Sequence, residues 1–360
     1  MADEVLSPRA LNRATLARQL LLERAARPVL DAVEELVGLQ AQIPRDPYLG
    51  LWSRLEGFAP DDLGRLLLDR RAVRVVVMRG TIHLVSADDC LLLRPLMQPV
   101  LDAELRRHPQ FAPALEGVDL EAVLGFARAL LAQAPRTGGQ LRAAMAGRFP
   151  QHDPAALAYA CRCLLALVQV PPRGLWGQSR QVTSTTAEAW LGRPLAAAPS
   201  IDEVVLRYLG AFGPATVADI ASWSRLTGMR AIVARLGPRL RTFRDDRGRP
   251  LFDLPDAPRP DPDTPAPPRF LPEYDNVLLS HADRSRFDAG AMRFSRPGAA
   301  VHGTVLCDGT LCATWRVVDE DEALLVDLVR PLCATEAAAV LAEGQRLADF
   351  LGVQTASVRE

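Results

Sequence analysis

Residues 214–252 read PATVADIASWSRLTGMRAIVARLGPRLRTFRDDRGRPLF. Thr216 suits an N-cap before an apolar-periodic run to Trp223, with Asp219 three residues on to meet the helix N-terminus. Leu226-Thr227-Gly228 turns the chain into a second helix, Met229 to Leu236. Leu240-Arg241-Thr242-Phe243 and Arg249-Pro250-Leu251-Phe252 then flank Asp245-Asp246-Arg247-Gly248, which is turn chemistry between two short strands. Helix, turn, helix and hairpin make a winged helix.

The same layout recurs upstream. Thr137 and Gln140 stand in capping-box spacing before a helix to Ala146, and Pro154 to Leu167 reads as a second helix. Its hairpin is expected from Leu167–Pro172 and Leu175-Trp176-Gly177, turned at Arg173-Gly174. Earlier still, helices Ala32–Gln40 and Asp61–Asp69 precede the strand Val73–Met78, the turn Arg79-Gly80 and the strand Thr81–Val85. After the third copy, Pro255, Pro258, Pro260, Pro262, Pro265, Pro267, Pro268 and Pro272 predict a stiff extended connector. Strand-like runs follow at Val301–Cys307, Leu311–Val318 and Ala323–Leu328, then a helix from Thr335 to Leu351. The expected fold is α+β, with winged helices at 1–115, 116–197 and 198–254 and a β-rich module at 255–360.

The 360 residues carry 42 basic and 43 acidic side chains, for a net charge of -1, and every basic one is arginine. Without lysine there is no Schiff-base lysine, P-loop lysine or lysine-anchored pyridoxal cofactor, since guanidinium cannot replace an ε-amine. A neutral chain attracts nucleic acid only through local clustering. Leu63–Ser86 holds five arginines against Asp69, and Trp223–Arg249 holds eight against Asp245 and Asp246. Both clusters fall on recognition-helix and wing positions, where phosphates would be met; the alternative is a solvated arginine surface. Compensating acid lies elsewhere, notably at Asp319-Glu320-Asp321-Glu322. The six cysteines sit in apolar surroundings with no C-x-x-C pair, as buried thiols do. Met1 to Arg9 lacks an apolar signal core and no stretch is long and apolar enough to span a bilayer, so a cytoplasmic protein is expected, at the nucleoid when bound to DNA.

Several segments together resemble the AlkZ/YcaQ-like winged-helix DNA glycosylases: Val37-Gly38-Leu39-Gln40-Ala41-Gln42, Met78 through Leu84, Gln169 through Gly174, Phe212 through Asp219, and Leu271 through Asn276 continuing to His281-Ala282-Asp283-Arg284. The resemblance implies tandem winged helices in a C shape around a β-rich centre, forming a concave basic channel for double-stranded DNA. It also implies a metal-independent enzyme with no cofactor that excises N7-alkylated purines, including bulky adducts and interstrand crosslinks. The family's catalytic signature falls on Gln40 and Gln42, with alanine at the aliphatic position between them. DNA-contacting roles fall on Arg79, Arg173, Tyr274, Asp275, Asn276, His281, Asp283, Arg284, Arg286 and Arg247. Of these, Arg79 and Arg173 read equally as solvated turn tips, and Tyr274-Asp275-Asn276 as a plain turn. His281 and Asp283 lack a third partner at metal-ligand spacing.

Two neutral amides suit a cationic base, because an N7-alkylguanine leaves as a neutral molecule without protonation. A glutamine carbonyl is expected to accept from the attacking water while its NH2 holds the geometry. Residues i and i+2 share a face only in an extended segment, so Gln40 and Gln42 converge if the chain leaves its helix near Gln40, as Pro44 suggests. Without an internal amine to form an imine with the sugar, a monofunctional enzyme is expected. The rival reading is a winged-helix transcription regulator, although three dissimilar modules give no two-fold symmetry. A monomer is expected.

Overall fold

Helix starts follow local capping chemistry. In the computed structural model, which describes residues 4–287, 302–318 and 323–359, Thr216 and Asp219 cap one helix reciprocally, Asp219 N to Thr216 Oγ1 at 3.1 Å and Thr216 N to Asp219 Oδ2 at 2.8 Å. Thr137 and Gln140 do the same at 3.1 and 2.9 Å. Twice the chain runs helix, strand, two helices, two strands, and a third run has an isolated bridge in place of the first strand. The first run is Val29–Glu35, Leu39–Gln40, Asp46–Arg54, Pro60–Leu68, Ala72–Val76 and Ile82–Ser86. The second is Leu120–Gln133, Arg136–Thr137, Gly138–Arg148, Pro154–Leu164, Leu167–Gln169 and Thr183–Thr186. In the third, Ile201–Phe212 leads to an isolated bridge from Ala215 to Phe252, then Val217–Ser224, Met229–Leu236, Arg241–Asp245 and Pro250–Asp253.

Two local expectations are corrected. The helix foreseen over Ala32–Gln40 ends at Glu35, because Val37 and Gly38 adopt left-handed φ of 54° and 83°; Gln40 therefore lies in a strand. Arg173-Gly174 does not turn the second hairpin: Leu167–Gln169 pairs with Thr183–Thr186, leaving residues 170–182 as a loop. The apolar Leu175-Trp176 run misled because it packs rather than pairs, with the Trp176 ring 5.1 Å from that of Tyr48.

The first and second hairpins meet edge to edge, with Arg74 opposite Gln169 and Val75 opposite Val168, within one six-stranded sheet. The third hairpin pairs instead with Val5–Leu6. Arg269–Leu271, Gly303–Cys307, Thr310–Val318, Ala323–Leu328 and Thr355–Arg359 form a five-stranded sheet, the last strand parallel beyond the helix Ala334–Leu351. Val301 and the acidic run Asp319–Glu322 lie outside the described residues. Cys333 is exposed at the start of that helix, unlike the other five cysteines. No helix among the described residues is long and apolar enough to cross a membrane.

Packing crosses every expected boundary. One core joins Leu39, Ala41, Tyr48 and Trp52 to Phe270, Val305, Trp315 and Leu347. A second joins Val73, Val75 and Val85 to Tyr208, Phe212 and Trp223. Buried ion pairs tie the same parts together: Arg18 with Asp253 at 2.6 Å, and Arg54 with Asp275 at 2.8 Å.

Candidate functional site

The strand Leu39–Gln40 delivers the glutamine pair to the edge of the six-stranded sheet, where Gln40 pairs with His83. Gln40 is buried at 7% exposure, and its Oε1 accepts from Arg79 Nη2 at 2.6 Å. Gln42 is exposed, and its Oε1 accepts from the Ile82 backbone N–H at 3.3 Å. Arginine and a backbone N–H only donate, so both amide orientations are fixed by their partners. The carbonyl oxygens do the holding and the NH2 groups have no partner among the described residues, whereas the NH2 was expected to hold the geometry. Between them, Ala41 is buried; its N–H donates to Ile82 O at 2.7 Å and its carbonyl accepts from Arg74 Nη2 at 2.7 Å.

Arg79 turns inward. Its φ of 58° swings the guanidinium back over the sheet edge, and Nη2 also approaches His83 Nε2 at 3.2 Å and Asn276 Oδ1 at 3.4 Å. Burial, then the charges of Arg225 and Arg284, push its pKa down to about 10. Burial and Arg79 hold His83 down to about 3, so its ring is neutral. His83 Nδ1 faces Thr81 O at 3.0 Å, which places the hydrogen there and leaves Nε2 to accept from Arg79. Asn276 Nδ2 donates to Gly38 O at 2.7 Å, which fixes that amide too.

Several residues expected on DNA are occupied within the protein. The Asp275 side chain is fully buried, bidentate with Arg54 at 2.8 Å, and caps the helix Asn276–Leu279. His281 is buried with Nε2 on Phe212 O at 3.0 Å, and burial with Arg286 lowers its pKa to about 3. Arg286 is buried against Thr15 Oγ1 at 2.9 Å. Asp283 gathers Arg247 at 3.3 Å and Arg249 at 2.8 Å. Arg173 is half-buried and donates to Arg180 O at 2.9 Å; Tyr274 and Arg284 are half-buried. Among the described residues, no three His, Cys, Asp or Glu side chains converge as a metal site.

The arginine counts overstated the free charge. Arg239 pairs with Glu203 at 3.1 Å, Arg241 with Glu4 at 2.8 Å, and Arg235 with Asp202, acids that lie outside the counted window. Arg74 is buried, and Arg70 stacks 4.1 Å over Trp190. The two clusters do meet at one point, where Arg225 Nη1 donates to Arg79 O at 3.2 Å. Arg225 also borders an open groove of about 900 Å³ flanked by Pro99, Val100, Arg107, Met229 and Ile232. Arg74 and Arg225 belong to the two arginine clusters expected at phosphates, but neither they nor His83 were expected to shape the glutamine site. Alternation along Ile82–Ser86 puts His83 on the face of Gln40 and was the available signal.

A family model described as DNA glycosylase AlkZ-like matches residues 33–350. Among solved structures, the chain is similar to Streptomyces sahachiroi DNA glycosylase AlkZ at 22% identity, covering 99% of each chain with a TM-score of 0.73. No curated protein sequence matches. The family match does not favour the transcription-regulator reading.

Proposed function

The chain belongs to the AlkZ-like DNA glycosylase family, and from that premise we propose that it hydrolyses the N-glycosidic bond of N7-alkylated purines in double-stranded DNA, leaving abasic sites. The observation that carries this reading is the neutrality of the reacting pair: Gln40 is held by Arg79 and Gln42 by the Ile82 backbone, with no carboxylate hydrogen-bonded to either among the described residues. Such a pair has no proton to give a neutral leaving base. A base that already carries positive charge needs none. The remaining tasks are to place a water and to stabilise an oxocarbenium-like sugar; the second lone pair of the exposed Gln42 Oε1 accepts from that water.

In this reading the three repeated units act as winged helices around a concave DNA channel. Arg79, Arg225 and Arg284 concentrate cationic charge beside the glutamines and compensate nearby phosphates. The enzyme acts as a monomer, without metal or cofactor. The sequence contains no lysine, so no side-chain amine can form an imine with the sugar, and the enzyme is monofunctional. The substrate range extends to bulky adducts and interstrand crosslinks, in DNA repair or in self-resistance to a DNA-alkylating natural product, the Gln-x-Gln form resembling the resistance type of the family. The test is release of N7-methylguanine from duplex DNA by wild type, Gln40→Ala and Gln42→Ala, with strand breaks scored before alkali. We expect losses of about 10²-fold or more in each variant and no breaks. Unchanged release in both variants would move the active site, and a borohydride-trapped adduct on an internal residue would end the monofunctional assignment.

A further inference from the structure

We propose that Arg79 is a positioning residue that locks the Gln40 amide so that the site offers its substrate a hydrogen-bond donor at this position rather than an acceptor. The proposal deepens the glycosylase reading and rests on it. Arg79 Nη2 lies 2.6 Å from Gln40 Oε1, and a guanidinium can only donate, so the oxygen must face Arg79 and the planar amide turns its NH2 away. Gln40 Nε2 has no partner among the described residues, which leaves it for an acceptor on the nucleotide. The purine N3 and O6 are such atoms, and they gain electron density as the glycosidic bond breaks.

The surroundings are built for a cation that donates. Gln40 Oε1, His83 Nε2 and Asn276 Oδ1 all present acceptors to one guanidinium nitrogen, at 2.6, 3.2 and 3.4 Å. Two of the three are themselves fixed, His83 by Thr81 O and Asn276 by Gly38 O. Gln40 and His83 are direct cross-strand partners, so amide and ring lie side by side on one face of the sheet. The left-handed backbone at Arg79 brings its long side chain back over its own hairpin instead of out to solvent.

The two possible roles of Gln40 predict opposite effects of Gln40→Glu. If the Gln40 oxygen served as the acceptor for the attacking water, a carboxylate would keep or improve activity. If the NH2 is the working group, the carboxylate pairs with Arg79 and the donor is gone. The experiment is single-turnover release of N7-methylguanine from a defined duplex by wild type, Gln40→Glu, Arg79→Met and Arg79→Lys, at saturating protein and across pH. We expect Gln40→Glu and Arg79→Met each to lower the rate constant by about 10-fold or more. Arg79→Lys should restore part of it and then lose rate at alkaline pH as the buried lysine deprotonates, a limb the wild type lacks in that range. Wild-type rates in Gln40→Glu, or in an Arg79→Met protein that still melts cooperatively, would overturn the proposal. If Arg79→Met does not fold, Gln40→Glu decides alone. A wild type that releases no N7-methylguanine would overturn the glycosylase reading and this proposal together, whereas an active wild type matched by its variants would overturn only the proposal.

Discussion

Asp46, four residues beyond Gln42, is buried at 1% exposure with neither carboxylate oxygen hydrogen-bonded among the described residues. Burial, then the negative charge of Glu273, pushes its pKa up to about 8. The folded value lies above that of the unfolded chain, so the folded state prefers the protonated form. The contribution is full below about pH 4 and is lost as pH rises through about 8. Asp46→Asn should therefore flatten the stability profile between about pH 4 and pH 8, gaining on the order of a few kcal/mol over wild type once the pH exceeds about 8 in urea titrations. His83 and His281 act oppositely, because both are held down to about 3 by burial. Their contribution is present above about pH 6.5 and lost as pH falls toward 3, so His281→Gln should shed part of the acid limb in the same titrations. The glutamine pair was legible at this scale through its family motif, but the direction of Arg79 was not. Turn chemistry places a residue between two strands without saying whether a long side chain runs outward or folds back.

At the scale of elements, the delivery of Gln40 depends on the left-handed exit at Val37-Gly38. A Cβ on Gly38 would meet Val85 Cγ1 at 2.7 Å and Leu84 O at 2.8 Å, on a backbone with φ of 83°. Gly38→Ala should cost about 2–4 kcal/mol in urea denaturation, from backbone strain plus displacement of the strand Ile82–Ser86. Gly174 has a different task. Its φ is 98° and an added Cβ would stand 2.8 Å from Arg74 Cδ, the arginine that holds the Ala41 carbonyl. Gly174→Ala should lower the rate of N7-methylguanine release as well as stability, and a loss of stability alone would detach Arg74 from the site. Capping boxes were readable because their bonds are local in sequence. The second hairpin was not, since an apolar pair such as Leu175-Trp176 looks alike whether it pairs in a strand or packs against a distant core.

Across the whole molecule, the segments bounded in sequence share cores: even the second, which has a core of its own around Val123, Leu141 and Leu157, lends Val168 and Ala187 to the core of the first and third. Residues of the first unit share one core with the five-stranded sheet and another with the helices Ile201–Phe212 and Val217–Ser224. Thermal unfolding should accordingly be a single cooperative transition in calorimetry; separate endotherms would show that the units fold alone. Asp275→Ala, which strands Arg54 as a buried cation, should destabilise that one transition by about 3–5 kcal/mol. Sequence counts of arginine failed at this scale for a physical reason: charge is neutralised by acids near in space, and Glu4, Asp202 and Glu203 are remote from the counted window. In the proposed mechanism a neutral amide pair, set by Arg79 and a backbone N–H, cleaves bases that are already cationic. Its most direct test is single-turnover excision from one duplex sequence carrying either N7-methylguanine or the neutral base hypoxanthine. Release of N7-methylguanine should depend on both Gln40 and Gln42, with hypoxanthine left in place. Comparable release of hypoxanthine, or N7-methylguanine release indifferent to both glutamines, would contradict it.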